Sequence, residues 1–364
     1  MKAAVFRTIG APLTIEDIAV ASPGPGELLI RTVAAGVCHS DLSVMEGKVL
    51  MPTPAVLGHE SAGVVEAVGE GVSRIAVGDH VVTCVSAFCG YCEQCLSNHT
   101  VLCETPGVQR PKGQPPRLVP ENGSDRRVFQ VGALGGYAEM MLVNERTCVA
   151  IRKDMPLDRA ALLGCAVVTG LGAVMRTAKI EPGSTVAVIG CGGVGLCIVS
   201  GAKLAGASRI IAIDRVASKE ALAMRMGATD FLDASAVDAV EAVAEMTRGG
   251  VHYSFEAIGL QATVEQAFRM VRPGGVATMV GIPGVGRSIS VDSFSLLGER
   301  RLQGSMMGSN KFLIDIPNYV ELYLQGRLDL DALVSRRIGL EAIDEAFEEM
   351  RAGQVARSVV VFDS

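Results

Sequence analysis

Four cysteines, Cys89, Cys92, Cys95 and Cys103, fall within fifteen residues at C-x2-C-x2-C-x7-C spacing. Thiolates this close in the chain can converge on one tetrahedral ion, and zinc is the metal such a set suits. Four sulfurs leave no position for water or substrate, so such a zinc holds a loop in shape without reacting. Free or disulfide-bonded cysteines are the plain alternative. A second candidate set is dispersed. Cys38 lies in Gly36-Val37-Cys38-His39-Ser40-Asp41, His59 in Gly58-His59-Glu60, and Cys165 in Leu163-Gly164-Cys165. Two thiolates and one imidazole leave a fourth position open, which is the ligand arrangement of a reactive zinc. Each residue alone reads as a small buried thiol or a hydrogen-bonding His. Their weight comes from being found together.

A third constellation is Gly190-Cys191-Gly192-Gly193-Val194-Gly195. The pattern follows an apolar strand, opens a helical stretch and has Asp214 about twenty residues beyond, the context a dinucleotide site requires. Gly190 permits a tight turn, Gly192 lets backbone approach a pyrophosphate, and Gly195 lets helix pack close to strand. The helix N-terminus adds amide donors and the positive end of a dipole. Asp214 can accept both adenosine ribose hydroxyls and would repel a 2′-phosphate, so NAD is favoured over NADP. Arg215 next to it weakens that preference.

These groups need two kinds of scaffold. With 364 residues the chain is long enough for two domains. As far as about Ile151, short strands such as Leu28–Val33, Gly63–Val68 and Asp79–Thr83 alternate with Gly- and Pro-rich turns, a β-rich, barrel-like pattern. The Pro-, Gly- and Arg-rich stretch from Pro106 to Asp125 reads as a long surface loop. Beyond Leu157 helices alternate with buried strands, Thr185–Ile189 and Arg209–Ile213 among them, so an α/β, doubly wound parallel sheet is expected. An apolar strand, Ser358–Phe362, closes the chain in the first lobe.

Ten cysteines without an export signal indicate metal ligands and free thiols. No apolar run of the roughly 18 residues needed to cross a membrane is evident. The formal charge of −6 argues against a phosphate-tracking surface for nucleic acid. A soluble, cytoplasmic protein is expected, with neither membrane nor nucleic acid as partner.

Taken together, the four-cysteine loop, Gly58-His59-Glu60-Ser61-Ala62-Gly63 with Gly69 beyond it, and the dinucleotide motif resemble the zinc-dependent medium-chain alcohol dehydrogenases over essentially the whole chain. The resemblance implies a GroES-like catalytic domain at 1–166 and 307–364, interrupted by a Rossmann coenzyme domain at 167–306. Substrate and nicotinamide would meet between them. Cys38, His59 and Cys165 would hold the catalytic zinc, and Cys89, Cys92, Cys95 and Cys103 the structural one, two zinc ions per chain. Glu60 would be the acidic neighbour of the metal and Asp41 the carboxylate that orients the ligand His. The Ser40 hydroxyl would take the alcohol proton. Thr169 would lie near the nicotinamide, with Gly193, Val194, Ile258 and Ile282 also beside the coenzyme. Lys219 would stand near the adenosine ribose, and Arg357 would reach the pyrophosphate. The implied reaction is reversible hydride transfer between a primary or secondary alcohol and NAD, giving aldehyde or ketone.

Two positions depart from the family pattern. Ser43 stands where many relatives carry a proton-passing His, and His39 where some carry Arg for the pyrophosphate. Either Ser43 with water or His39 would complete the relay. Val49, Val85, Phe129, Ile282 and Met307 are the candidate pocket residues, and the small Val85 leaves room for a bulky or aromatic alcohol. Two enzymatic alternatives are a thiol-adduct dehydrogenase of the formaldehyde-oxidising kind, with Arg110, Lys112 and Arg117 holding the thiol's carboxylates, and a physiological aldehyde reductase. The non-enzyme alternative, a zinc-bearing interaction or DNA-binding module, is disfavoured by the negative charge. A homodimer is expected, on the length of the loop after Cys103 and on an exposed edge strand around Arg287–Val291 in the coenzyme domain.

Overall fold

The computed structural model describes residues 1–111, 113–121, 127–353 and 356–362. The chain divides into two compact units, one of Met1–Cys165, Lys311–Gly326 and Val334–Ser364, the other of Ala166–Asn310 and Arg327–Leu333.

The first unit is built on antiparallel strands. Glu27–Gly36 is its spine, with side chains almost all buried or half-buried, as expected of a strand with neighbours on both sides. It pairs with Ser61–Val68, Met140–Asn144 and Arg357–Val361. Register matters for the chemistry. Ala35 pairs with Ser61, so the loop leaving this strand toward Cys38 meets the loop that delivers His59. Val359 pairs with Gly36 at the same end, which brings the strand bearing Arg357 alongside. A second sheet contains Leu118–Pro120, Thr14–Val20, Lys2–Phe6, Ala55–Val56 and Phe129–Gln130 in that order. Phe6, Leu42, Leu57, Tyr137 and Phe347 belong to one buried cluster of this unit.

The second unit carries a parallel sheet. Its order among the described residues is Asp230–Asp233, Arg209–Asp214, Thr185–Ile189, Val251–Glu256, Val271–Met279 and Arg301–Gly304. Thr185–Ile189 is the first of these in the chain, and its two neighbours lead in opposite directions across the sheet. Ligands of such sheets sit at this reversal, outside the carboxyl ends of the strands. The α/β class is therefore as expected, and its central strand bears the glycine motif.

Two expectations need correction. Leu157–Ala178 is a 22-residue helix long and apolar enough to cross a membrane, although no such run was anticipated. Its window is 83% buried inside the protein, which makes it a core helix. It widens into π-helical turns at Leu163–Val167 and Ala173–Ala178, and the first of these carries Cys165. Such turns are frequent at functional sites. The second correction concerns 287–291, which forms no strand among the described residues. The Ser290 N–H donates to Glu265 Oε1 at 2.8 Å, so side-chain bonding takes the place of a ladder there. The described edges of the sheet are Asp230–Asp233 and Arg301–Gly304.

Candidate catalytic metal centre and coenzyme loop

Cys38 ends the loop after the spine strand and immediately precedes the helix His39–Met45. His59 lies between Val56 and Ser61 in a turn that Gly58 enters at φ +87°, a left-handed conformation that glycine tolerates without strain. Cys165 comes from the π-helical turn. The ligand atoms of these three residues lie within 4.8 Å of one another, and all three residues are buried. That spacing and donor set fit a zinc ion.

The charges around them tie the three residues together, and the Cys165 thiol, hydrogen-bonded to Cys38 and buried, is pushed well above its ordinary pKa. The Cys38 thiol is pulled well below its ordinary pKa by a hydrogen bond from Cys165, against the effect of burial, and the Arg357 and His59 charges add to the shift. Burial alone would disfavour a charged His59, but the Asp41 and Cys38 charges outweigh it and raise its pKa. The imidazole is oriented from behind, with Nδ1 3.1 Å from Asp41 Oδ2. Fixing one ring nitrogen in this way presents the other to a metal. Glu60 and Arg357 are buried nearby, with Arg357 Nε 3.7 Å from Glu60 Oε2 and its NH1 donating to the Val37 carbonyl at 3.0 Å.

The expected hydroxyl is present, since Ser40 Oγ lies 3.7 Å from Cys38 Sγ. His39, Ser40 and Ser43 occupy the same short helix, with His39 and Ser43 one turn apart. Tyr137 was not anticipated. Its hydroxyl donates to Asp41 Oδ2 at 2.9 Å, and nothing in its spacing from the ligands signals that contact.

The Cys89, Cys92, Cys95 and Cys103 sulfurs also lie within 4.8 Å of one another. Cys92 Sγ is 3.5 Å from Cys95 Sγ and 3.8 Å from Cys103 Sγ. Tyr91 and Cys92 N–H groups donate to Cys89 Sγ at 3.5 and 3.3 Å, and the Cys89 N–H donates to Cys103 Sγ at 3.2 Å. Amides aimed at sulfur stabilise thiolates, and against the effect of burial they help pull the Cys89 thiol down to about 6. This set also fits zinc, in the closed arrangement.

In the second unit Gly190 turns at φ +97° after its strand, and a side chain on Gly195 would strike the Gly190 carbonyl oxygen at 1.7 Å. Around Gly192 there is open space, and Gly193–Leu204 forms the helix that follows. Asp214 Oδ2 accepts from the Cys191 N–H at 2.7 Å and from Lys219 Nζ at 2.9 Å, and Oδ1 accepts from the Val216 N–H at 3.0 Å. The carboxylate is thereby aimed at the glycine loop. Arg215 beside it is exposed. Ile258 packs where a Gly190 side chain would be, and Ile282 is exposed. Thr169 is buried, its Oγ1 3.7 Å from Met307 Sδ.

Of the remaining pocket candidates, Val49 is exposed, Phe129 is half-buried, and Val85 packs beneath Gly132. Arg110 and Arg117 do not stand ready for a ligand's carboxylates. Arg110 Nε and NH2 donate to Glu27 at 2.9 and 2.6 Å, and Arg117 Nε donates to the same carboxylate at 2.8 Å. Both guanidinium groups are buried, and Glu27, opposed by its own burial, is held at about 2 by Arg110, the Gly24 N–H and Arg117. They pin the long loop down. Lys112, the third candidate, lies outside the described residues.

Comparison with known proteins agrees with this geometry. Residues 24–153 match the alcohol dehydrogenase GroES-like domain, and residues 193–324 match the zinc-binding dehydrogenase domain. A probable S-(hydroxymethyl)glutathione dehydrogenase 1 of Schizosaccharomyces pombe is 38% identical over 99% of this chain and 96% of that protein. A crystal structure of an alcohol dehydrogenase zinc-binding domain protein from Burkholderia ambifaria superposes with a TM-score of 0.94 at 37% identity, covering 100% of this chain and 99% of the other. Benzyl alcohol dehydrogenase from Acinetobacter calcoaceticus superposes with a TM-score of 0.91 at 33% identity, again covering 100% and 99%. The chain belongs to the zinc-dependent medium-chain alcohol dehydrogenases. It is an oxidoreductase that interconverts alcohols with aldehydes or ketones, and its cofactors are zinc and NAD.

Proposed function

We propose that Cys38, His59 and Cys165 hold the zinc at which the alcohol reacts, while Cys89, Cys92, Cys95 and Cys103 hold a zinc that only shapes its loop. The observation that carries this reading is the buried convergence of the first three, with the Asp41 carboxylate behind His59. When bound there, zinc supplies a Lewis acid that makes an alcohol O–H acidic near neutral pH, and NAD takes up the hydride. The chain's own residues do the rest. Ser40 is near enough to the ligand Cys38 to accept the alcohol proton, and His39 or Ser43 carries it along the outer face of the helix. Glu60 and Arg357 form a buried charge pair beside the ligands. The glycine loop takes the pyrophosphate on open backbone at Gly192. Asp214 and Lys219 take the adenosine ribose.

The substrate is an apolar alcohol, aromatic ones included. Support comes from the burial of Arg110 and Arg117 against Glu27 and from the likeness to a benzyl alcohol dehydrogenase. The S-(hydroxymethyl)glutathione relative marks the competing substrate class. Initial rates with aliphatic and aromatic alcohols, and with formaldehyde plus glutathione, each with NAD and with NADP, test all of this. The expected ranking puts benzyl-type alcohols with NAD first. A preference for the glutathione adduct would defeat the substrate reading, and a preference for NADP would defeat the Asp214 reading.

Self-association through the coenzyme unit is part of the same proposal. Val285, Phe294 and Leu297 are 92%, 78% and 78% exposed in the single chain, large apolar side chains that a subunit interface would cover. A homodimer is the expected mass by light scattering, and a particle near 38 kDa would contradict it.

A further inference from the structure

Asp41 is wholly buried, and three donors satisfy its carboxylate. Oδ1 accepts the Gly58 N–H at 3.1 Å. Oδ2 is 3.1 Å from His59 Nδ1 and accepts the Tyr137 hydroxyl at 2.9 Å. Tyr137 is itself fully buried and rigidly placed. Its N–H donates to the Leu57 carbonyl at 3.0 Å, and its ring fills the space where a Gly58 side chain would be, 2.7 Å from that position. An edge contact with Phe347, with ring centroids 6.2 Å apart, holds the ring from the other side. The phenol oxygen is also 3.2 Å from the Gly36 carbonyl, but it has a single proton. A charged acceptor at shorter range takes that proton in preference to a neutral carbonyl.

We propose that Tyr137 is a positioning residue for His59, acting through Asp41. This rests on the reading of Cys38, His59 and Cys165 as the zinc ligands. Without the hydroxyl, Asp41 keeps only the Gly58 amide and the imidazole itself, so the carboxylate no longer has a fixed partner to orient it on the Oδ2 side. The imidazole then samples a wider range of angles, and the metal it holds leaves more readily. Groups behind metal ligands typically change affinity by about 10–100-fold when removed, and one step further out the effect is smaller. Acceleration of zinc release by about three- to tenfold is therefore expected for Tyr137→Phe, which keeps the ring and removes only the oxygen.

The four-cysteine zinc is an internal control, because the hydrogen bonds and ring contact of Tyr137 go to Ala4, Gly36, Asp41, Leu57 and Phe347 and none to that loop. Zinc content is measured first, and then the rates at which wild type, Tyr137→Phe, Asp41→Asn and the double variant release zinc to a colorimetric chelator. The expected result is faster release of one zinc only, an unchanged rate for the other, and no further acceleration when Tyr137→Phe is added to Asp41→Asn. Cobalt-substituted enzyme should show altered ligand-field bands in Tyr137→Phe, a change that loosened packing elsewhere would not cause. Wild-type release kinetics in Tyr137→Phe would overturn the proposal. So would equal acceleration in the Asp41→Asn background, or acceleration of both metals together with a lowered Tm. A different result marks failure of the underlying reading: one zinc per chain, undiminished in Cys38→Ala, would remove His59 from the ligands and this role with it.

Discussion

Cys38→Ala lowers kcat/KM by at least about a thousandfold while leaving a folded protein that still binds NAD. The size follows from what is lost. A Lewis acid at the reacting oxygen contributes several kcal/mol to the barrier, and about 4 kcal/mol corresponds to a factor of roughly a thousand. Two ligands do not make a zinc site of useful affinity, so the Lewis acid goes with the thiolate. Folding is expected to survive, because Cys38 precedes the helix without capping it by a side chain, and deleting one buried sulfur costs about 1 kcal/mol. The coenzyme loop belongs to the other compact unit, so its residues keep their surroundings. Turnover with a panel alcohol, zinc content and NAD binding by calorimetry check each part. Activity above about a tenth of wild type, in protein shown to have lost that zinc, would sink the assignment.

Cys95→Ser has its largest effect on stability. The cysteine loop contains the short helices Glu93–Leu96 and Thr100–Leu102, neither of which buries a residue, and Leu96 is 75% exposed. With so little apolar burial, the metal is what holds the loop, and its binding free energy becomes folding free energy. A Tm lower by about 4 °C is expected, which corresponds to a loss of roughly 3 kcal/mol in a protein of this size. Activity of cold-purified protein should stay within about threefold of wild type, because none of the four cysteines belongs to the reactive set. Scanning calorimetry with metal analysis decides it. Zinc reduced to one per chain with an unchanged Tm would show that this metal is dispensable for the fold.

The two candidate metal sites differ in how they could be read before folding. The four cysteines lie within fifteen residues, so the loop itself brings them together and the spacing is enough to recognise them. Cys38, His59 and Cys165 are far apart in the chain, and as isolated residues they are unremarkable. Their grouping was inferred from ligand chemistry and family resemblance, and it exists because Ala35 pairs with Ser61 and because a π-helical turn presents Cys165. The glycine motif was equally legible, since strand, turn, helix and acid are all local. Alternation misled at 287–291. A period of two shows that a segment is able to bury one face as a strand, but pairing needs a neighbour, and here the Ser290 amide bonds to the Glu265 side chain. Arg110 and Arg117 misled in a similar way. Charge on a loop reads as available until its partner is known, and Glu27 lies more than eighty residues away in the chain.

The sequence by itself determined which chemistry is available: which residues can ligate zinc, which loop can cradle a pyrophosphate, and which carboxylate stands where it can repel a 2′-phosphate. Those are properties of residue types at short range, where covalent spacing limits the geometry. Only the tertiary structure decided that the Tyr137 hydroxyl donates to Asp41 and that the loop arginines are already paired. Both facts arise from contacts between residues more than eighty positions apart. Strand register and core packing select such contacts from many possible ones, and no local pattern encodes them.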